Sequence, residues 1–166
     1  LEFRRVLFRS LGFKDRPDAL KEWGALLAEI KATGAAVMVG VPTYWRELRR
    51  DTHPDPALHD VIRQADVLSP WSVGRYADPK GAAELGQKIW KPDAAWCASE
   101  KKTFLPVIFP GFSWSNLSAL RGQNTPLDQI PRLGGRFLWS QAVAARAAGA
   151  KSLYVAMFDE IDEGTA

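Results

Sequence analysis

The feature that most constrains this chain is an alternation of four short apolar runs with helical stretches. The runs Ala35–Val41, Val67–Ser69, Phe104–Phe109 and Ser152–Met157 begin roughly thirty to fifty residues apart. The last of these, at Leu153–Met157, is apolar on both faces rather than alternating, as in a strand buried on both sides. Between the runs lie helices. One opens over Asp15–Pro17, carries Leu20, Trp23, Leu27 and Ile30 at helical spacing, and is closed by Gly34. A second spans about Pro56–Ala65. A third region begins at Pro79 and is interrupted by Pro92. A fourth runs over Arg136–Ala148 and ends at Gly149. Residues Ser115–Gly134 are polar, contain Gly, Asn and Pro, and read as a long loop.

Repeated strand–helix units imply a parallel sheet with right-handed crossovers. Two architectures satisfy this, an open doubly wound sheet and part of an eight-stranded barrel. No Gly-x-Gly-x-x-Gly follows any strand, which argues against a dinucleotide site, and no Gly-x-x-x-x-Gly-Lys-Ser/Thr marks a phosphate loop. The unusual residues gather at strand ends. Tyr44, Trp45, Trp71, Arg75, Tyr76, Phe112 and Trp114 all follow the C-terminal end of an expected strand, and so do Glu160 and Glu163. In a parallel (β/α)8 TIM-type barrel those ends converge on the face that carries the active site. Each aromatic alone is more often packing than ligand contact. The coincidence of these aromatics with Arg75 and the two glutamates at four strand ends favours a sugar-binding face, because Trp and Tyr suit the apolar faces of sugar rings.

The last strand runs into Phe158-Asp159-Glu160-Ile161-Asp162-Glu163-Gly164-Thr165, with four carboxylates in five positions. Like charges so close repel, which raises the pH at which one of them gives up its proton. Such a pair supplies one acid and one base at the same pH. A solvated acidic turn is the plain alternative. A calcium or magnesium site is another, although the spacing departs from the Asp-x-Asp-x-Asp-Gly loop.

Charge narrows the partners. The formal net charge is +3, but Leu1–Ser10 alone carries three Arg against one Glu, leaving +1 for residues 11–166. That decapeptide has no periodicity matching the rest. It resembles the conceptual translation of a sequencing adapter and is set aside from fold reasoning as a non-native segment. No basic cluster is then left to suggest nucleic acid. No apolar run approaches the roughly 20 residues of a membrane-spanning helix. The single Cys97 excludes an intramolecular disulfide and is expected to be a buried thiol. His53 and His59 lack ligand spacing and are expected in solvent. Ser113 lacks a Gly-x-Ser-x-Gly context, so no serine nucleophile is expected. Asn116 and Gln123, in the long loop, are further candidates for sugar contact.

Four blocks together resemble a known group of proteins. Phe158-Asp159-Glu160-Ile161-Asp162-Glu163-Gly164-Thr165 resembles the Glu-x-x-Glu-Gly-Thr signature of glycoside hydrolase families 99 and 71, the endo-α-mannosidase and α-1,3-glucanase relatives. Val41-Pro42-Thr43-Tyr44-Trp45-Arg46, Ser69-Pro70-Trp71-Ser72-Val73-Gly74-Arg75-Tyr76 and Phe109-Pro110-Gly111-Phe112-Ser113-Trp114 look like segments of their bacterial "xylosidase/arabinosidase"-labelled relatives. The resemblance runs over residues 11–166. It implies a (β/α)8 barrel of which this is about the C-terminal half, truncated at both ends and inactive alone. It implies retaining cleavage of α-linked oligo- or polysaccharides with no metal or organic cofactor. The cellular address is left open by the sequence, a secreted or periplasmic parent being compatible with it. It further implies that Glu160 assists the sugar 2-hydroxyl in attacking the anomeric carbon, and that Glu163 is general acid and then base. Asp159 and Asp162 are expected to support the pair. Ile161 and Asp162 stand where the family 99 pattern has Trp and His or Gly, so mannose specificity does not carry over. A non-hydrolytic sugar-binding barrel using the same aromatic face is the alternative.

Overall fold

The structure, a computed structural model, describes residues 6–8, 11–15 and 20–156. The chain forms two compact units, one of Leu1–Trp71 with Asp93–Pro106 and one of Ser72–Pro92 with Val107–Ala166.

The first unit holds a four-stranded parallel sheet. Its strands β1 (Val6–Phe8), β2 (Val37–Pro42), β3 (Val67–Trp71) and β4 (Thr103–Phe104) lie side by side in chain order. Val37–Val39 pair with Val6–Phe8, Met38–Pro42 with Val67–Trp71, and Val67–Leu68 with Thr103–Phe104. A strand order that never reverses lacks the switch point of a doubly wound sheet. No closed barrel is formed among the described residues. Val37, Val39 and Val41 are fully buried, and β-branched side chains suit such a pleated surface. Helix α1 (Leu20–Ala32) buries Leu27, and Gly34 follows it in the left-handed region, as its sequence position required. Helix α2 (Ala57–Ile62) buries Leu58, Val61 and Ile62. Asp66 ties these pieces together: it accepts hydrogen bonds at 2.7 Å from the Lys31 ammonium and from the Val37 N–H.

β1 falls inside the decapeptide set aside above. An open parallel-sheet edge offers unpaired N–H and C=O groups to any extended apolar segment, so this strand needs no periodicity of its own.

In the second unit, α3 (Pro79–Leu85) starts as the sequence dictates. The Asp78 carboxylate caps it by accepting the Gly81 N–H at 2.7 Å, and Pro79 occupies the first turn. A π-helical turn at Gly86–Trp90 follows and leads into α4 (Lys91–Ser99), whose residues from Asp93 onward belong to the first unit. Pro92 was expected to break the helix in two. The wider π turn instead accommodates a ring that would clash with the carbonyl four residues back. Strand β5 (Val107–Ile108) pairs in parallel with β6 (Tyr154–Val155). Helix α6 (Arg136–Ala147) packs against α3 and the π turn, where a Cβ on Gly86 would stand 3.0 Å from that of Ala144.

Two further expectations are corrected. The run Phe104–Phe109 is not one strand but two, β4 and β5, separated by Leu105 and Pro106. Proline has no N–H for a ladder, which interrupts the strand where it falls. The long loop at Ser115–Gly134 contains a helix, α5 (Ser115–Leu120), and a 3-10 turn at Leu133–Gly135.

Candidate active site

In the first unit, β2 ends at Pro42 and β3 at Trp71, and the two residues stand opposite each other in the ladder. The Thr43 hydroxyl donates to the Trp71 carbonyl, fixing the chain as it leaves β2. Trp45 then turns inward and is 0% exposed. Its indole N–H donates to Asp93 at 3.1 Å, and its ring meets Trp96 edge-on at 4.8 Å and His59 at 6.0 Å. Arg46 donates to the other Asp93 oxygen at 2.8 Å. Asp93 is 1% exposed. Burial pushes its carboxyl up to about 7, against the pull of Arg46 and the Trp45 N–H, and nearby Glu47 adds to the rise. Tyr44 is also buried, with the Arg49 and Arg50 guanidinium carbons 4.2 and 4.5 Å from its ring centroid. Cys97, one turn beyond Asp93, is buried as expected. Burial, and then the Asp93 charge, push its thiol up to about 12.

In the second unit, Gly74 takes a positive φ of 76° and turns the chain after Ser72. Arg75 is exposed, while Tyr76 is buried in a ring cluster with Trp90, Phe109 and Phe137 at 5.5–6.2 Å. The Tyr76 hydroxyl donates at 2.8 Å to Gln141, itself 0% exposed on α6. Burial raises the Tyr76 phenol well above its ordinary value, a hydrogen bond with Ser72 opposing. Beyond β5 the chain passes Gly111, where backbone and side chain crowd in: a Cβ would lie 2.8 Å from the Ile130 carbonyl oxygen and 2.7 Å from Arg132 Cγ. That close approach lets Phe112 and Ile130 exchange hydrogen bonds at 3.0 and 3.1 Å. Phe112 is buried, and Trp114 packs on it at 4.4 Å with 44% of its own surface exposed. Ser113 is buried, and its hydroxyl accepts from the Asp128 N–H at 3.3 Å.

Of the aromatic candidates, the structure brings Phe112 and Trp114 together and leaves the Trp114 ring open to solvent. Trp71 is half-buried. Tyr44, Trp45 and Tyr76 stand at strand ends as expected, but their rings point into the packed interior. Asn116 and Gln123 are exposed. Asp159, Glu160, Asp162 and Glu163 lie outside the described residues. The strand that leads to them is β6, and the Ala156 N–H just beyond it donates to the Ile108 carbonyl at 2.8 Å. Among the described residues, no group of His, Cys, Asp and Glu is arranged to hold a metal ion.

The histidines depart from expectation. His53 is buried and its ring nitrogen accepts the Asp55 N–H at 3.1 Å; His59 is half-buried against Trp45. The burial of two polar residues, Asp93 and Gln141, was not anticipated. Each carried a signal. Asp93 stands four residues before buried Cys97, and Gln141 stands midway between Phe137 and Ala145, so each shares a helix face with buried apolar neighbours.

No protein-family model matches the sequence, and no curated protein matches it. Among solved structures, the GH99 endo-alpha-mannosidase from Bacteroides thetaiotaomicron, in complex with BIS-TRIS-Propane, is 21% identical with a TM-score of 0.60 over 88% of this chain and 42% of that one. A second structure of a GH99 endo-alpha-mannosidase from that organism gives 21% identity and a TM-score of 0.54 over 79% of this chain and 33% of that one. The chain therefore spans less than half the length of these structures and shares the fold of the part it covers.

Proposed function

We propose that this chain is part of a glycoside hydrolase that cleaves α-linked glycans with retention of configuration, built on a (β/α)8 barrel of which residues 11–166 form about half. The observation that carries the reading is the fold shared with an endo-alpha-mannosidase over 88% of the chain, in a sequence whose β6 runs on into Glu160-Ile161-Asp162-Glu163-Gly164-Thr165. Glu160 assists the substrate 2-hydroxyl as it attacks the anomeric carbon. Glu163 protonates the leaving oxygen and then activates water. This scheme differs from the usual retaining pair, in which a carboxylate itself is the nucleophile. Asp159 and Asp162 support the pair, Asp162 by disfavouring a charge on Glu163. Trp114, packed edge-on against Phe112, offers an apolar ring face to a sugar, and Trp71 and Arg75 are further substrate contacts. Tyr44, Trp45 and Tyr76 are buried and pack the segments that follow their own strands.

The test assays the full-length protein on α-mannosides, α-glucans and xylose- and arabinose-containing glycans, beside Glu163→Gln. We expect hydrolysis with retention, read from the first anomer formed by NMR. It should fall by about 10²–10⁴-fold in the variant, the usual contribution of a positioned acid–base group. Glycan binding without hydrolysis in either protein would replace this reading with a non-hydrolytic sugar-binding barrel.

A further inference from the structure

Strand β5 is short, and its two sides are served differently. Toward β6 it has a strand: the Ile108 carbonyl accepts the Ala156 N–H at 2.8 Å, and Val107–Ile108 pair with Tyr154–Val155. Successive residues of a strand point their N–H and C=O groups to opposite sides. The groups of Val107 and Phe109 therefore face away from β6, and side chains meet them there. The Ser72 hydroxyl donates to the Val107 carbonyl at 2.9 Å. The Gln141 amide takes both groups of Phe109, accepting from its N–H at 3.0 Å and donating to its carbonyl at 2.7 Å. The same amide donates to the Phe137 carbonyl at 3.0 Å and accepts from the Tyr76 hydroxyl at 2.8 Å. Two donors and two acceptor sites are then all engaged, the full capacity of a glutamine side chain. Fully buried, the amide stands in for a ladder neighbour at the residue just past the end of the strand.

From that residue the chain runs to Phe112 and Trp114, and its pairing partner runs to Glu160 and Glu163. We propose that Gln141 is a positioning residue for the glycosidase, clamping the C-terminal end of β5 and, through the β5–β6 pairing, setting where the carboxylate segment leaves β6. This rests on the glycosidase reading above. A helix interior does not otherwise need a glutamine here. A methionine would fill the same volume, and only the Phe109, Phe137 and Tyr76 bonds require the amide.

The test compares full-length wild type, Gln141→Met and Gln141→Glu by steady-state kinetics from pH 4.5 to 8.5, per folded enzyme as read by near-UV circular dichroism. Gln141→Met removes all four bonds. Its kcat should fall about 100-fold, the cost of a misplacement of about 1 Å, with KM within about threefold of wild type. In Gln141→Glu the protonated carboxyl keeps an acceptor and one donor, whereas the ionised form sets bare oxygens against the Phe109 and Phe137 carbonyls. Tyr76 is the titratable side chain bonded to it among the described residues. The ratio of its kcat to wild type should therefore be highest at acid pH and fall at least about tenfold as the pH rises, one unmet bond being worth that much or more. A ratio flat with pH, a loss confined to KM, or full kcat in the Met variant would overturn the clamp. If the Met variant does not fold, the Glu variant at acid pH decides alone. A wild type that hydrolyses none of the glycans overturns the glycosidase reading and the clamp together; hydrolysis with a flat ratio overturns the clamp alone.

Discussion

Asp93 gives the sharpest quantitative expectation. Its two oxygens face two donors, the Trp45 N–H and Arg46, in a site 1% exposed. Burial outweighs those donors and raises the carboxyl to about 7. An unfolded aspartate ionises near 3.9. The folded state therefore holds the proton more tightly. The stability that Asp93 contributes is greatest below about pH 4, declines as the unfolded chain releases the proton, and levels off once the pH passes the folded value near 7. The separation corresponds to about 4 kcal/mol at 1.36 kcal/mol per tenfold change. Asp93→Asn abolishes the titration and leaves one of the two donors unpaired, a cost of about 1–3 kcal/mol that does not vary with pH. Urea unfolding of both proteins between pH 4 and 8.5 checks this. The wild-type stability minus that of the variant should fall by about 4 kcal/mol across the window and flatten above about pH 8. Because only position 93 differs, other titrating groups cancel. A difference that stays constant, or grows as the pH rises, would mean that the Arg46 and Trp45 bonds overcome the burial and the carboxylate is charged throughout.

Two further outcomes follow from the packing. Burial works to raise Asp66, but its hydrogen bonds from Lys31 and the Val37 N–H prevail and hold the carboxyl below its ordinary range. The stability it contributes is thus present above that range and lost as the pH falls through it, so Asp66→Asn should be less stable at neutral pH, with the gap closing in acid unfolding below about pH 4. Gly111→Ala would set a methyl 2.8 Å from the Ile130 carbonyl oxygen. It should cost about 1–3 kcal/mol in chemical denaturation; a variant as stable as wild type would show that the Phe112–Ile130 bridge moves aside.

Much of the fold was legible because the dominant force, apolar burial, writes its period directly into the sequence. Val37, Val39 and Val41 announce a strand, and Leu20 to Ile30 a helix ended by Gly34. Pro106 was legible too, but its meaning was missed: an apolar run on both sides of it reads as continuous until the lost N–H is counted. Helix α5 has six residues, too few to display an amphipathic period within a polar stretch. The site was legible to the level of which residues stand at strand ends, and no further. Trp45 and Trp114 look alike in sequence, each a tryptophan a few residues past an apolar run. Only tertiary packing decides that one faces Asp93 in the interior and the other faces solvent. Gln141 and Asp93 were hidden by the opposite prejudice, since a polar residue on a helix is read as surface unless its apolar neighbours one turn away are weighed with it.

The buried Cys97 makes the first unit self-reporting. A thiol whose ionisation is pushed to about 12, inside α4, reacts with a disulfide reagent only when the helix swings open, because the thiolate is the attacking species and needs access. As the chain has one cysteine, the labelling rate is a single-site clock. At low reagent it reads the equilibrium between closed and open α4, and at saturating reagent the opening rate itself. The chain thus carries its own reporter on how often the Trp45–Asp93–Arg46 cluster is exposed to water.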